Sequence, residues 1–109
     1  MTKVKHLYNS EGNWIAFKKG KYLYNTECKW IGWFPWDETI AVTVGGKYLG
    51  TVYKENRLLK NRFQRYLGYP GYPGYPGYPG YPGYPGYKGY IGYISGTEDV
   101  EKSILDGEE

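Results

Sequence analysis

The chain has one cysteine, Cys28, and one histidine, His6, in 109 residues. A lone thiol cannot close an intramolecular disulfide, so nothing in the cysteine count implies secretion. One imidazole with no acid or thiol at ligand spacing gives no metal site. Cys28 lies in a polar turn beside Lys29, and a single thiol with a single distant histidine does not make a cysteine-type catalytic pair. Asp37 and Glu38 are neighbours in a turn, where their side chains need not converge as an acid and a base. The expectation is a non-enzyme, with no catalytic, metal or cofactor residue and no small-molecule substrate. No window is long or apolar enough to cross a membrane. The opening Met1-Thr2-Lys3-Val4-Lys5-His6 lacks the apolar core of a signal peptide. The expected location is the cytoplasm, with a peripheral position at a membrane left open.

Proline is scarce except in one place: apart from Pro35, every proline falls between residues 70 and 85. That place is a run from Gly68 to Ile94, in which Gly-Tyr-Pro repeats without a slip through Pro85 and then continues as Gly-Tyr-Lys, Gly-Tyr-Ile and Gly-Tyr-Ile. Proline fixes its own φ and pushes the preceding residue to the extended region. A strict period of three with proline therefore predicts polyproline II, as a single strand or as a collagen-like triple helix in which only glycine fits the crowded axis. At ~3.1 Å per residue the run would span roughly 80 Å. Three arrangements are open: a solvated semi-rigid segment, a homotrimeric triple helix, or a strip packed against the rest of the chain. Tyr69, Tyr72, Tyr75, Tyr78, Tyr81 and Tyr84 are the candidate interaction residues, because tyrosine offers large contact area with little rotamer entropy to lose.

Residues 1–67 precede the run and form the expected domain, with 95–109 as an acidic, disordered tail. The domain is built of repeats. Leu7-Tyr8-Asn9-Ser10-Glu11-Gly12-Asn13-Trp14-Ile15-Ala16-Phe17 is echoed 16 residues on by Leu23-Tyr24-Asn25-Thr26-Glu27-Cys28-Lys29-Trp30-Ile31-Gly32-Trp33. A third copy follows 18 residues later, from Ala41 to Thr51. Each copy reads as a strand, a tight polar turn and a second strand of pattern aromatic, aliphatic, small. Alternation puts the aromatics Trp14, Trp30 and Tyr48 on one face with the small residues Ala16, Gly32 and Gly50, and the aliphatics Ile15, Ile31 and Leu49 on the other. Such a meander suits a sheet closed around an axis.

The fourth copy is broken. Arg57-Leu58-Leu59-Lys60 supplies its first strand, with no partner adjacent. Residues 89–94 copy the pattern of 47–52, so 90–94 are expected to return as the closing strand and to make the run a tethered excursion. The competing assignment closes the sheet with 61–67.

These elements resemble the bacterial four-fold β-flower domain: Leu-Tyr-Asn with Trp14-Ile15-Ala16-Phe17, Gly20-Lys21-Tyr22-Leu23-Tyr24-Asn25, Lys47-Tyr48-Leu49-Gly50-Thr51-Val52-Tyr53 and Asn56-Arg57-Leu58-Leu59, followed by a Gly-Tyr-Pro-rich tail. The resemblance covers roughly residues 4–90. It implies an all-β fold, an antiparallel meander closed into a shallow pseudo-four-fold barrel. The chain departs from the family at Cys28, where the repeat expects glycine, and in the regularity of its triplets. No activity is established for that family. Its fold has been likened to the tubby C-terminal domain, whose members bind phosphoinositide lipids, which is a fold analogy only.

Charge is unevenly spread. Residues 1–67 hold 12 Lys and Arg against 5 Asp and Glu, and residues 95–109 hold one Lys against 6 acids. Lys54, Arg57, Lys60, Arg62 and Arg65 form the densest basic cluster and are the candidate anion-binding residues. Their bland reading is a solvated strand edge that discourages edge pairing. The functional reading is an anionic membrane surface, with an apolar ligand in the barrel mouth as a variant. Nucleic acid is disfavoured, for want of any recognised binding motif. The leading expectation is a structural or interaction protein presenting its tyrosine-rich run, with self-association, as a trimer if the run is collagen-like.

Overall fold

The computed structural model describes residues 4–92 and 94–107. The chain is all-β apart from one helical turn. Its strands are β1 (Val4–Tyr8), β2 (Trp14–Lys19), β3 (Tyr22–Asn25), β4 (Trp30–Trp33), β5 (Ile40–Thr43), β6 (Tyr48–Tyr53), β7 (Arg57–Asn61) and β8 (Thr97–Asp99), followed by α1 (Lys102–Leu105). Neighbours in sequence pair antiparallel from β1 to β7. Tyr8 then meets Arg57 in a parallel bridge, which closes a seven-stranded barrel.

The three repeats fold as three copies of one hairpin. In each, the residue that enters the turn, Asn9 just after β1, Asn25 at the end of β3 or Thr43 at the end of β5, closes it with its side chain and its backbone. The Asn9 Oδ1 accepts the N–H groups of Glu11 and Asn13, and the Asn25 Oδ1 accepts those of Glu27 and Lys29. Thr43 Oγ1 accepts the Lys47 N–H in the third copy. The same turn position takes a left-handed conformation each time, with φ of 91° at Gly12, 66° at Cys28 and 93° at Gly46. Cys28 thus stands where glycine carries no penalty, at a cost of roughly 1 kcal/mol.

One feature of the hairpins corrects the alternation expected from sequence. The pairing of Tyr8 with Trp14 and Leu7 with Ala16 skips Ile15, and the pairing of Tyr24 with Trp30 and Leu23 with Gly32 skips Ile31. Val42 with Tyr48 and Ala41 with Gly50 likewise skip Leu49. Every repeat carries a β-bulge on its aliphatic residue, which leaves that residue unpaired and turns the strand. The aliphatic and the small residue therefore both serve the interior. Leu7, Ala16, Leu23, Ile31, Phe34, Ala41, Leu49 and Leu58 form one buried cluster, with Ile15 packed against it. Trp14 and Trp30 pack instead on an outer cluster of Phe17, Tyr24 and Cys28. A methyl group on Gly32 would overlap the Val42 carbonyl oxygen, so glycine there sets how closely β4 and β5 approach.

The sheet is completed by neither expected segment. Asn61 ends β7 and residues 62–63 turn, so 61–67 is not a strand. Residues 90–92 and 94 carry no strand either, and Tyr93 lies outside the described residues. The returning strand is β8, whose Thr97, Glu98 and Asp99 pair with Asn61, Lys60 and Leu59. β7 therefore meets β1 at its first residue and β8 along its last three.

The acidic end, expected to be disordered, is built into the fold through residue 107. Val100 is 7% exposed and joins the inner cluster, and Ile104 and Leu105 pack against it. Asp99 accepts the Ser10 N–H and hydroxyl, Asn25 Nδ2 donates to the Leu105 carbonyl, and Lys29 Nζ donates to that of Asp106. These contacts lay the segment across the hairpin end of the barrel. The interior is filled by side chains, and the segment covers part of that mouth.

Candidate functional site

The Gly-Tyr-Pro run is a belt around the outside of the barrel. Starting from Tyr69 and Pro70 beside Gly46, it passes Trp30 and Cys28, then Trp14, and reaches Gly12 at Lys88 and Gly89. It thus visits the hairpin turns in reverse order. The whole structure is 36 Å in its longest dimension, less than half of the roughly 80 Å that a straight polyproline II run would need.

The backbone departs from polyproline II at every third residue. Each glycine from Gly68 to Gly92 has a φ between 81° and 98°, whereas polyproline II and a collagen strand need about −75° throughout. Only glycine adopts such values freely. A methyl group on any of these nine glycines would meet nothing within 4 Å. In the belt the strict glycine period thus serves backbone conformation.

The belt and the barrel are in register. Trp30 sits between Tyr72 and Tyr75, with both ring centroids 5.7 Å away. Trp14 sits between Tyr81 and Tyr84 at 5.9 and 6.0 Å. One repeat along the barrel thus corresponds to nine residues, or three triplets, along the belt. The turns obey the same rule: Cys28 Sγ lies 3.8 Å from the Gly80 carbonyl oxygen, and nine residues on Gly89 lies against Gly12. Both tryptophans are held by the strand they stand on, since Trp14 Nε1 donates to the Ala16 carbonyl and Trp30 Nε1 to that of Gly32, each at 2.7 Å. A methyl group on Gly12 would overlap the Gly89 backbone.

Polar clamps fix the belt from Pro79 onward. Lys19 Nζ donates to the Pro79 carbonyl at 3.0 Å, and His6 Nε2 is 3.2 Å from that of Gly83. The Lys88 N–H reaches the Gly12 carbonyl at 2.9 Å and the Ile91 N–H that of Ser10 at 3.1 Å. Arg57 Nη1 donates to Gly89 at 2.7 Å and to Asn9 at 3.1 Å. The Arg57 guanidinium and the Lys88 ammonium both lie within 6.0 Å of the Tyr8 ring centre. Burial raises the Tyr8 hydroxyl above the ordinary tyrosine value, partly opposed by Arg57. Tyr78 is raised as well, by its hydrogen bond with the Cys28 thiol and the charge that thiol can carry.

What remains outward is aromatic. Tyr69, Tyr72, Tyr75, Tyr78, Tyr81 and Tyr84 are between 58% and 74% exposed, although the backbone behind them is pinned. All six stand along one belt, as a row that the barrel curves.

The basic cluster is not brought together. Arg57 is 5% exposed and spent on the belt and the first hairpin. Lys54 lies in the turn before β7, with φ of 47°, and Lys60 stands opposite Glu98. Arg62 and Arg65 are exposed beyond the far end of β7, with the Arg62 guanidinium over the Phe63 ring. A five-residue strand, about 16 Å long, separates the two ends. Among the described residues no three His, Cys, Asp or Glu side chains could hold a metal, and no helix is long and apolar enough to cross a membrane. Comparison with family models, with curated proteins and with solved structures finds no match to this chain.

Proposed function

We propose that this chain is a non-enzymatic structural or interaction module in which the barrel acts as a spool and the tyrosine row as the contact surface. The observation that carries this reading is the contrast between six tyrosines at 58–74% exposure and a belt held to the barrel behind them, by ring contacts with Trp30 and Trp14 and by backbone hydrogen bonds at Pro79, Gly83 and Gly89. Contact area held in place before binding loses little entropy on association, and tyrosine is the side chain that best combines area with rigidity. The closed seven-stranded barrel, its three like hairpins and its incomplete fourth unit fit the shallow pseudo-four-fold barrel of the β-flower family, and we read the chain as a member. Self-association through the row is the favoured partnership. It is lateral, because a triple helix would need every glycine of the belt to leave its positive φ and the belt to leave the barrel.

Sedimentation velocity over a concentration series tests this with the full chain and a variant carrying serine at all six positions. The wild type should associate reversibly at high concentration. The variant should stay monomeric, with an unchanged far-ultraviolet spectrum. A wild type that stays monomeric throughout overturns self-association as the role of the row.

The second reading is an anionic membrane surface, by analogy with tubby-like domains. The exposed Lys54, Arg62 and Arg65 favour it, and the withdrawal of Arg57 weakens it. Salt-sensitive sedimentation with anionic but not neutral vesicles would support it. No binding at low salt removes it.

A further inference from the structure

The inward-facing rows of the barrel do not end where the apolar core ends. Leu7, Ala16 and Leu23 face the interior, and the next position on the same side of each chain segment is Lys5, Lys18 or Lys21. Lys5 and Lys18 are direct partners across β1 and β2, an arrangement of like charges that weakens a sheet. With Lys21 they line an open cleft of about 710 Å³, floored by Phe34 and flanked by Trp36. The cleft lies at the end of the barrel away from the hairpin turns and from the C-terminal segment.

The charges in this cleft are poorly matched. The Lys18 side chain is only 13% exposed, and its ammonium lies 5.3 Å above the Phe34 ring centre. Withdrawing a cation from water is costly unless an anion accompanies it. Glu38 is 3.7 Å away, but its own side chain is 89% exposed, so it is a weak, solvated partner. Asp37 is engaged elsewhere: its Oδ1 accepts the N–H groups of Thr39 and Ile40 and the Thr39 hydroxyl. The Lys21 ammonium is drawn off over the Tyr22 and Trp33 rings, so among the described residues Lys5 and Lys18 are left beside one loosely held carboxylate and the aromatic floor. The volume is in the range of small-molecule sites, about 300–1,000 Å³.

We propose that this cleft binds a small anion with a planar apolar body, an aryl phosphate in chemical class. The phosphate lies between Lys5 and Lys18, and the ring lies on Phe34 and Trp36. Lysine meets phosphate as a point charge, so recognition at that end is by charge, while the aromatic floor selects the planar group.

Isothermal titration of the full chain at low salt tests this, with phenyl phosphate, inorganic phosphate and benzyl alcohol as probes. Phenyl phosphate should saturate with a Kd in the range of about 0.1–1 mM, and each of the other two should bind at least about tenfold more weakly. Lys5→Met and Lys18→Met should each weaken phenyl phosphate about tenfold. Lys5 is exposed, so its variant reads the charge without disturbing the core. Glu38→Gln should tighten binding, because it removes the carboxylate that competes for Lys18. Absence of saturable heat with phenyl phosphate overturns the proposal, as does binding unaffected by both lysine substitutions. Benzyl alcohol binding as tightly as phenyl phosphate overturns the anion site, and inorganic phosphate doing so overturns the aromatic contact.

Discussion

The barrel and the belt are both periodic, and their periods are enforced by different physics. The barrel repeats because each hairpin must bury the same aliphatic face, and its glycines at positions 32 and 50 stand where neighbouring strands press close. The belt repeats because its backbone must turn back to a positive φ at every third residue, and a methyl group on its glycines would meet nothing. One period is held by packing and the other by conformation. They mesh because three triplets span one hairpin, so that Trp14 and Trp30 each find a pair of tyrosines. A repeat of three residues and a repeat of about sixteen need not have been commensurate.

The largest expected effect separates what the barrel needs from what it merely carries. A chain ending after Ser95 keeps the belt and loses β8, Val100 and the packing of Ile104 and Leu105. A chain ending after Leu67 loses the belt too. The first truncation alone should remove about 3–5 kcal/mol, comparable with a large core deletion and a large share of the stability of so small a domain. The second should cost little beyond that. Denaturant midpoints decide: an unchanged midpoint after truncation at Ser95 would show that the barrel closes without β8, and a much larger further loss at Leu67 would make the belt part of the core.

Next in size is a pair of glycine substitutions that sets packing against conformation. Gly32→Ala forces a methyl group into the Val42 carbonyl and should cost about 3 kcal/mol or more. Gly77→Ala clashes with nothing, and its cost is that of a left-handed alanine, about 1–2 kcal/mol. That cost should fall on the belt, with Tyr75 and Tyr78 contacts loosened and the barrel intact by hydrogen exchange. Equal global destabilisation by both would erase the distinction between the two periods.

A third test is register. Deleting one triplet, residues 77–79, moves the belt a third of the way along a hairpin, so that Trp14 and Trp30 cannot both keep their tyrosine pairs. We expect a loss of about 1 kcal/mol, the worth of an aromatic pair or two, with changed tryptophan fluorescence. An unaltered spectrum would mean that the stacks are incidental to the belt's path.

The contrast also explains what could be read in the chain and what could not. The three hairpins, their turn residues and the closure of the barrel follow from the repeat itself. The bulge at Ile15, Ile31 and Leu49 did not, because one extra residue is invisible in a pattern of period two yet flips every residue beyond it to the other face. Residues 90–94 copy the pattern of 47–52 and so predict a closing strand there. It fails there because Gly89 and Gly92 keep the belt's positive φ, which interrupts a regular ladder, whereas Gly50 lies in β6 without it. The true strand, Thr97-Glu98-Asp99, is short and polar and gives no strand signal beyond its Thr97 and Val100 flanks. The lysines of the cleft were legible in principle, as charged residues continuing the rows of Leu7, Ala16 and Leu23. They are hard to see because Lys18-Lys19-Gly20-Lys21 has the composition of an ordinary polar turn.

The smallest effect expected is alkaline, and it sharpens the comparison through tyrosine itself. Tyr8, Tyr24 and Tyr53 belong to the barrel, and burial raises all three above the ordinary tyrosine value of 10.0. A raised acid keeps its proton longer in the folded chain than in the unfolded one. Between the two values the unfolded state has lost protons that the folded state still holds, so stability falls as pH rises. The contribution is whole below about pH 10 and is lost progressively above it. Denaturant midpoints measured from pH 8 to 11 should therefore decline. Tyr24→Phe should flatten the decline by a fraction of the total, because it removes one of the three groups while keeping the ring that stacks on Phe17 at 5.2 Å. Serine at all six outward belt positions should leave most of the contribution of these three in place, because burial is the first cause of each, and should remove only the smaller parts that Tyr84 adds at Tyr8 and Tyr75 at Tyr24, together with the raised Tyr78 itself. If the serine variant flattens the decline and Tyr24→Phe does not, the alkaline sensitivity resides in the belt, and the assignment of buried tyrosines to the barrel alone is wrong.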